Sequence, residues 1–118
     1  MGKIEADVDN QESLQAMARQ CSVVADCVGP FRFYGEPVVK ACVAEGTHYV
    51  DVCGEPQYLE TMQVKYNEEA KKNNSYIVGS CGFDSIPADC GVTYLQQKFE
   101  GNDRKWVSRF LARLTGIF

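Results

Sequence analysis

The sequence holds one histidine, four prolines and no Cys-x-x-Cys pair, and each scarcity removes a class of function. Structural zinc sites draw on Cys and His ligands at short, regular spacing. Six dispersed cysteines with His48 alone do not supply that pattern, so no metal site is expected. No apolar run approaches the ~20 residues of a membrane span. Met1-Gly2-Lys3-Ile4-Glu5 has no apolar secretory core, which makes an intracellular chain with reduced thiols the expectation. Long single-sign basic stretches are also missing from the body of the chain. Residues 1–103 carry all sixteen acidic side chains and eight basic ones, a balance of −8, which argues against nucleic acid as a partner.

What is present is an alternation of strands and helices within 118 residues, enough for one domain with a usable core. Residues 4–8 read as the end of a strand. Asp9 with Glu12 marks a helix start, and Leu14, Met17, Ala18 and Cys21 give that helix one apolar face. The run Val23-Val24-Ala25-Asp26-Cys27-Val28 reads as a buried strand that stops at Gly29-Pro30. A loop of aromatics follows, then a helix with Pro37 in its first turn and Glu36 near its positive end. Val38, Val39, Cys42 and Val43 form its buried stripe, and Gly46 ends it. A second strand covers residues 49–53, and a longer helix runs from Gln57 to about residue 73 with Leu59, Met62, Tyr66 and Ala70 inward. Lys65 with Glu69, and Glu68 with Lys72, have the spacing of helical ion pairs, worth about 0.2–0.5 kcal/mol each. A third strand at residues 76–81 and a helix from about Ala88, with Val92, Leu95 and Phe99 inward, complete a βαβαβα order. That order implies α/β architecture with parallel pairing.

Each strand closes on a Cys followed within two residues by Gly: Cys27/Gly29, Cys53/Gly54 and Cys81/Gly82. Parallel strands bring these ends to one edge, where ligands bind in open α/β sheets and where glycine admits close approach to the backbone. Arg32, Tyr34, Asp51, Glu55, Asp84 and Ser85 gather along it. His48 opens the second strand, at the opposite end, so neither a Cys–His pair nor an imidazole ligand reaches the cysteines. Asp84 and Asp89 serve equally as caps of the last helix. Phe31, Phe33 and Tyr34 can wall a ligand or cover the sheet edge.

Three of these stretches carry a family resemblance. Residues 28–39 (VGPFRFYGEPVV), 49–55 (YVDVCGE) and 82–89 (GFDSIPAD), in this order and spacing, closely resemble the saccharopine dehydrogenase-like oxidoreductases, in particular an animal-type member. The likeness spans residues 7–98. It implies a Rossmann-type parallel sheet of which the sequence covers the C-terminal half. No G-x-G-x-x-G phosphate loop occurs in it. The implied cofactor of a complete protein is NAD or NADP, with none expected for this chain alone. The implied cofactor-binding residues are Gly29, Pro30, Phe31, Gly54, Gly82, Phe83 and Asp84, with Glu55 lining the inner end of the cleft. Tyr34 and Asp51 are the candidates for catalysis, although neither is an evident general acid or base. Hydride transfer belongs to the cofactor, and the protein holds its reactive carbon against a substrate. Related enzymes act at the C–N bond of saccharopine, while this branch is associated with lipid metabolism and lipid droplets.

The resemblance divides the chain into a partial NAD(P)-binding domain at residues 1–99 and a segment at 100–118. The latter is either a basic amphipathic tail or the start of a second domain. Trp106, Val107, Phe110, Leu111 and Leu114 interleave there with Arg104, Lys105, Arg109 and Arg113, the pattern of a membrane-surface helix. The expected partner is a small-molecule substrate of unknown identity, with a membrane or lipid-droplet surface and a dimer left open. Cytoplasmic, lipid-droplet and mitochondrial-membrane locations are all compatible with that reading. The competing reading is a non-catalytic half-domain that binds a partner or membrane through an exposed sheet edge.

Overall fold

Three parallel strands in the order β1-β2-β3 organise the chain in a computed structural model that describes residues 2–98. The elements are α1 (Gln11–Ala18), β1 (Val23–Asp26), α2 (Phe31–Glu45), β2 (His48–Asp51), α3 (Pro56–Lys72), β3 (Ile77–Val78) and α4 (Ile86–Lys98). Val23 to Asp26 pair with His48 to Asp51, and Tyr49 and Val50 pair with Ile77 and Val78. These residues fall into two compact units, one ending at Cys81 and the other beginning at Gly82.

In the first unit, strand alternation decides what is buried. Val24, Asp26, Tyr49 and Asp51 point to the helical side, whereas Val23, Ala25 and Val78 are exposed on the other. The core lies between the sheet and α2, with Val39, Ala41, Cys42 and Val43 fully excluded from solvent. Leu14 and Ala18 of α1 and Tyr58, Met62 and Ala70 of α3 close it. Gly46 ends α2 in the left-handed region at φ 68°, where a side chain would be strained.

Several local expectations shift. Residues 4–8 form no strand. The cap of α1 is Asn10 rather than Asp9; its Oδ1 accepts from the N–H groups of Glu12 and Ser13 at 3.1 and 3.2 Å. Cys21 falls beyond that helix and is exposed. β3 shrinks to two residues, and α4 begins at Ile86, two residues before the expected start. Within α4 no residue is fully buried. Phe99 and the basic amphipathic segment lie outside the described residues.

The largest difference is at the aromatic stretch. Residues 31–37 are the first two turns of α2, not a loop, so Pro37 sits in the helix interior and Glu36 well past the positive end. Pro37 lacks the N–H that would meet the Phe33 carbonyl, an interior cost of roughly 3 kcal/mol that packing must offset. Burial of Phe31, Val38 and Val39 on either side of it supplies that packing. Glu36 accepts instead from Lys65 Nζ at 3.0 Å and from Tyr66 Oη at 3.1 Å, joining α2 to α3. Lys65 is therefore paired across helices rather than with Glu69, and Glu68 pairs with Lys71 at i,i+3 rather than with Lys72.

α2 and α3 approach closely where Gly35 faces Tyr58. A methyl group on Gly35 would fall 2.6 Å from Tyr58 Cζ and 2.8 Å from Cε2, well inside contact distance. Gly35→Ala is expected to cost about 1–3 kcal/mol through overpacking. Urea denaturation checks this, and an unchanged midpoint would rule out the close approach.

Candidate functional site

The carboxyl ends of β1 and β2 meet in a buried polar cluster. Asp26 and Asp51 are register partners on adjacent strands and are 4% and 2% exposed. Between them lies the phenol of Tyr49, two residues before Asp51 and thus on the same sheet face. Tyr49 Oη is 3.2 Å from Asp26 Oδ2, 3.1 Å from Asp51 Oδ2 and 3.3 Å from Tyr58 Oη. Asp51 Oδ1 also accepts the N–H groups of Cys53 at 3.0 Å and Ser80 at 2.8 Å, and Asp26 Oδ1 that of Val28 at 2.9 Å. Burial pushes the Asp26 carboxyl above the usual carboxylate range; its bonds to Val28 and Tyr49 partly oppose this, and the nearby Asp51 charge adds to it. Burial likewise raises the phenols of Tyr49 and Tyr58, so both keep their protons at neutral pH.

A third carboxylate closes the edge. Glu55, in the turn after β2, receives the Phe31 N–H at 2.9 Å on Oε1 and the Arg32 N–H at 3.2 Å on Oε2. These are the first two amides of α2, which Pro30 at the cap position leaves without a side-chain acceptor. A negative charge suits that end of a helix. The Gly29-Pro30-Phe31 connection is therefore bolted to the Gly54-Glu55 turn. Ser80 adds a third tie: its Oγ donates to the Cys53 carbonyl at 2.8 Å, with its backbone in the left-handed region at φ 59°.

The candidate residues thus take distinct positions. Gly29, Pro30 and Gly54 are exposed at the ends of β1 and β2, while Phe31 is buried against Tyr58 with ring centroids 5.9 Å apart. Asp51 has both oxygens committed inside the cluster. Tyr34 is exposed on α2, one residue beyond Phe33, over whose ring the Arg32 guanidinium lies at 4.8 Å. Gly82, Phe83 and Asp84 belong to the second unit, where Phe83 is 90% exposed and the Gly82 carbonyl accepts from Ser85 and Ile86. Of the three edge cysteines, Cys53 is buried, Cys81 half-buried and Cys27 exposed. A groove of about 650 Å³ runs beside β3, with Tyr49, Asp51, Tyr58, Met62, Tyr66 and Ser80 among its walls.

Sequence reasoning passed over Asp26, Tyr49 and Tyr58. The available signal was a lone acid in the apolar run 23–28, aligned with a second acid at the end of the next strand.

A parallel sheet with helical crossovers and glycines at the strand ends defines the class as a Rossmann-like α/β nucleotide-binding fold. The family described as saccharopine dehydrogenase NADP binding domain matches residues 1–78. Similar proteins include a saccharopine dehydrogenase-like oxidoreductase of Rattus norvegicus, 55% identical over 86% of this chain and 24% of its own length. A Caenorhabditis elegans protein named lipid droplet localized protein is 50% identical over 96% of this chain and 26% of its own. An Arabidopsis thaliana protein, named "probable mitochondrial saccharopine dehydrogenase-like oxidoreductase", is 41% identical over 89% and 22%. No solved structure matches. The chain belongs to the saccharopine dehydrogenase-like oxidoreductase family and carries its NADP-binding domain signature. It spans about a quarter of the length of these relatives.

Replacing Glu55 by Ala removes the acceptor for two helix amides and should cost about 1–2 kcal/mol, the range of a strong cap. Faster hydrogen exchange at Phe31 and Arg32 should accompany it. Unchanged protection at both amides would show that Glu55 does not hold the turn.

Proposed function

We propose that these residues supply the second half of the nicotinamide-binding domain of an NAD(P)-dependent oxidoreductase, in a protein of its relatives' length. The observation that carries this reading is the edge formed by β1 and β2. Its glycines at 29 and 54 are exposed, and the turns bearing them are tied together by Glu55. A rigid, glycine-bearing strand edge lets a ribose or nicotinamide ring lie against backbone. In this reading Gly29, Pro30 and Gly54 border the cofactor, and Phe31, buried against Tyr58, supports their turn from beneath. The bound cofactor supplies the hydride. The chain's own groups hold the ring and exclude water, and Tyr34, being exposed, is free to meet a substrate.

The uncovered side of the sheet supports the same proposal. Val23, Val52 and Val78 are each about half exposed on it, and β1 has no strand beyond it among the described residues. A first half of such a domain would pair with β1 and cover that face. A phosphate-gripping glycine loop, absent from this sequence, would come with it. The substrate is a small molecule linked to lipid metabolism, in line with the lipid-droplet name of the Caenorhabditis elegans relative. A lipid-droplet or mitochondrial-membrane location also follows the names of relatives. Among the described residues no helix is long and apolar enough to cross a membrane. The same exposed edge favours a second reading, a non-catalytic half-domain that docks on a partner, a membrane surface or a second copy.

Calorimetry with NADPH and NADH distinguishes the two. A protein of the relatives' length should bind one of them saturably, and the 118-residue chain alone should bind neither. Saturable micromolar binding by the isolated chain would overturn the half-site reading, and no binding by the longer protein would favour the docking role.

A further inference from the structure

The Asp26–Tyr49–Asp51–Tyr58 cluster has three oxygen–oxygen contacts, all of them at Tyr49 Oη. Each such contact needs one proton between its oxygens. A phenol donates one proton and an ionised carboxylate none. Tyr49 and Tyr58 therefore provide two protons for three contacts. With both carboxylates ionised, one carboxylate oxygen would face Tyr49 Oη with no hydrogen between them. That is the costly arrangement for a buried acceptor.

We propose that Asp26 and Asp51 together hold a single proton at neutral pH, seated on Asp26 Oδ2 and donated to Tyr49 Oη, which donates in turn to Asp51 Oδ2. Tyr58 completes the set by donating to Tyr49. Backbone amides select the seat. Asp51 Oδ1 collects two N–H groups, from Cys53 and Ser80, whereas Asp26 Oδ1 collects only that of Val28. Amide donors favour the charged form, so the negative charge settles on Asp51. Two like charges on register-paired strands are avoided in the same step.

Among the described residues no cation pairs with either acid, since the pairs formed use Glu45, Glu36 and Glu68. From α2 the cluster meets Cys42, whose thiol is pushed up to about 12 by burial and stays neutral. Cys21, just beyond α1, adds to that upward push. From the turn after β2 come Cys53, raised by burial, and Glu55, whose carboxylate is held by the α2 amides. From α3 comes Tyr58. His48 lies at the far end of β2 and bonds to the Tyr76 N–H.

Folding then takes up one proton, and the sign of the pH effect follows. Asp26 binds its proton more tightly folded than unfolded. The stability it contributes is complete below the ordinary carboxyl range and is lost as pH rises through the raised folded value. Above that value two charges face each other across Tyr49 and the ends of β1 and β2 separate.

Isotope-edited infrared spectroscopy of the folded chain, with 13C in the aspartate carboxyls, reads the proton directly. A carboxylic-acid C=O band at neutral pH that disappears in Asp26→Asn is the expected result. No such band, or one that survives in Asp26→Asn, overturns the proposal. Denaturation midpoints give a second readout. Asn at 26 keeps a donor for Tyr49 and an acceptor for Val28, so this variant should fold and should lack the stability loss that the wild type shows between mildly acidic and alkaline pH. Parallel pH profiles for the two proteins would also overturn it. If Asp26→Asn fails to fold, the wild-type band and its loss on alkaline titration decide alone.

Discussion

The phenol of Tyr49, wedged between carboxylates on two neighbouring strands, is the contact on which the rest of the edge depends. Two acids at the same register of adjacent parallel strands would repel in a low-dielectric interior. A hydroxyl between them converts that repulsion into a hydrogen-bonded link from β1 to β2. Tyr58 reaches it from α3 only because residue 35 has no side chain. Ser80 and Cys53 offer amides to the same carboxylate, so the ends of all three strands are tied to one small polar cluster. One residue class, the buried acid, thus sets where sheet and helices meet.

The consequence for function is a division of labour along the edge. The acids at 26, 51 and 55 are engaged with protein groups, as clasp, clasp and helix cap. What stays exposed is backbone at Gly29 and Gly54 and the ring of Tyr34. Under the proposed function such an edge suits hydride chemistry that resides in a nicotinamide cofactor, because the protein then needs shape and rigidity more than its own acid or base. Membership of the saccharopine dehydrogenase-like oxidoreductases and a β1 edge left open among the described residues both support the proposed role of a cofactor platform.

Much of the frame was legible residue by residue. The stripe Val38, Val39, Cys42 and Val43, the stop at Gly46 and the two longer strands all follow from periodicity and from glycine's tolerance of positive φ. The start of α2 did not. Pro37 resembles a first-turn proline, yet the helix begins six residues earlier because Glu55, 24 positions along the chain, caps Phe31. Lys65 similarly chose Glu36 on another helix over its own i+4 partner. Local rules rank local partners, and here distant ones were closer in space.

The sequence by itself determined the element order, the parallel pairing and the family, since these rest on spacing along one chain. Tertiary structure alone decided which acids are free. Asp51 and Glu55 look alike on paper as edge carboxylates, as does Asp26 within its apolar run. Their roles were assigned by which amides and phenols lie within 3.2 Å, and such distances arise only when β1, β2 and α3 pack together.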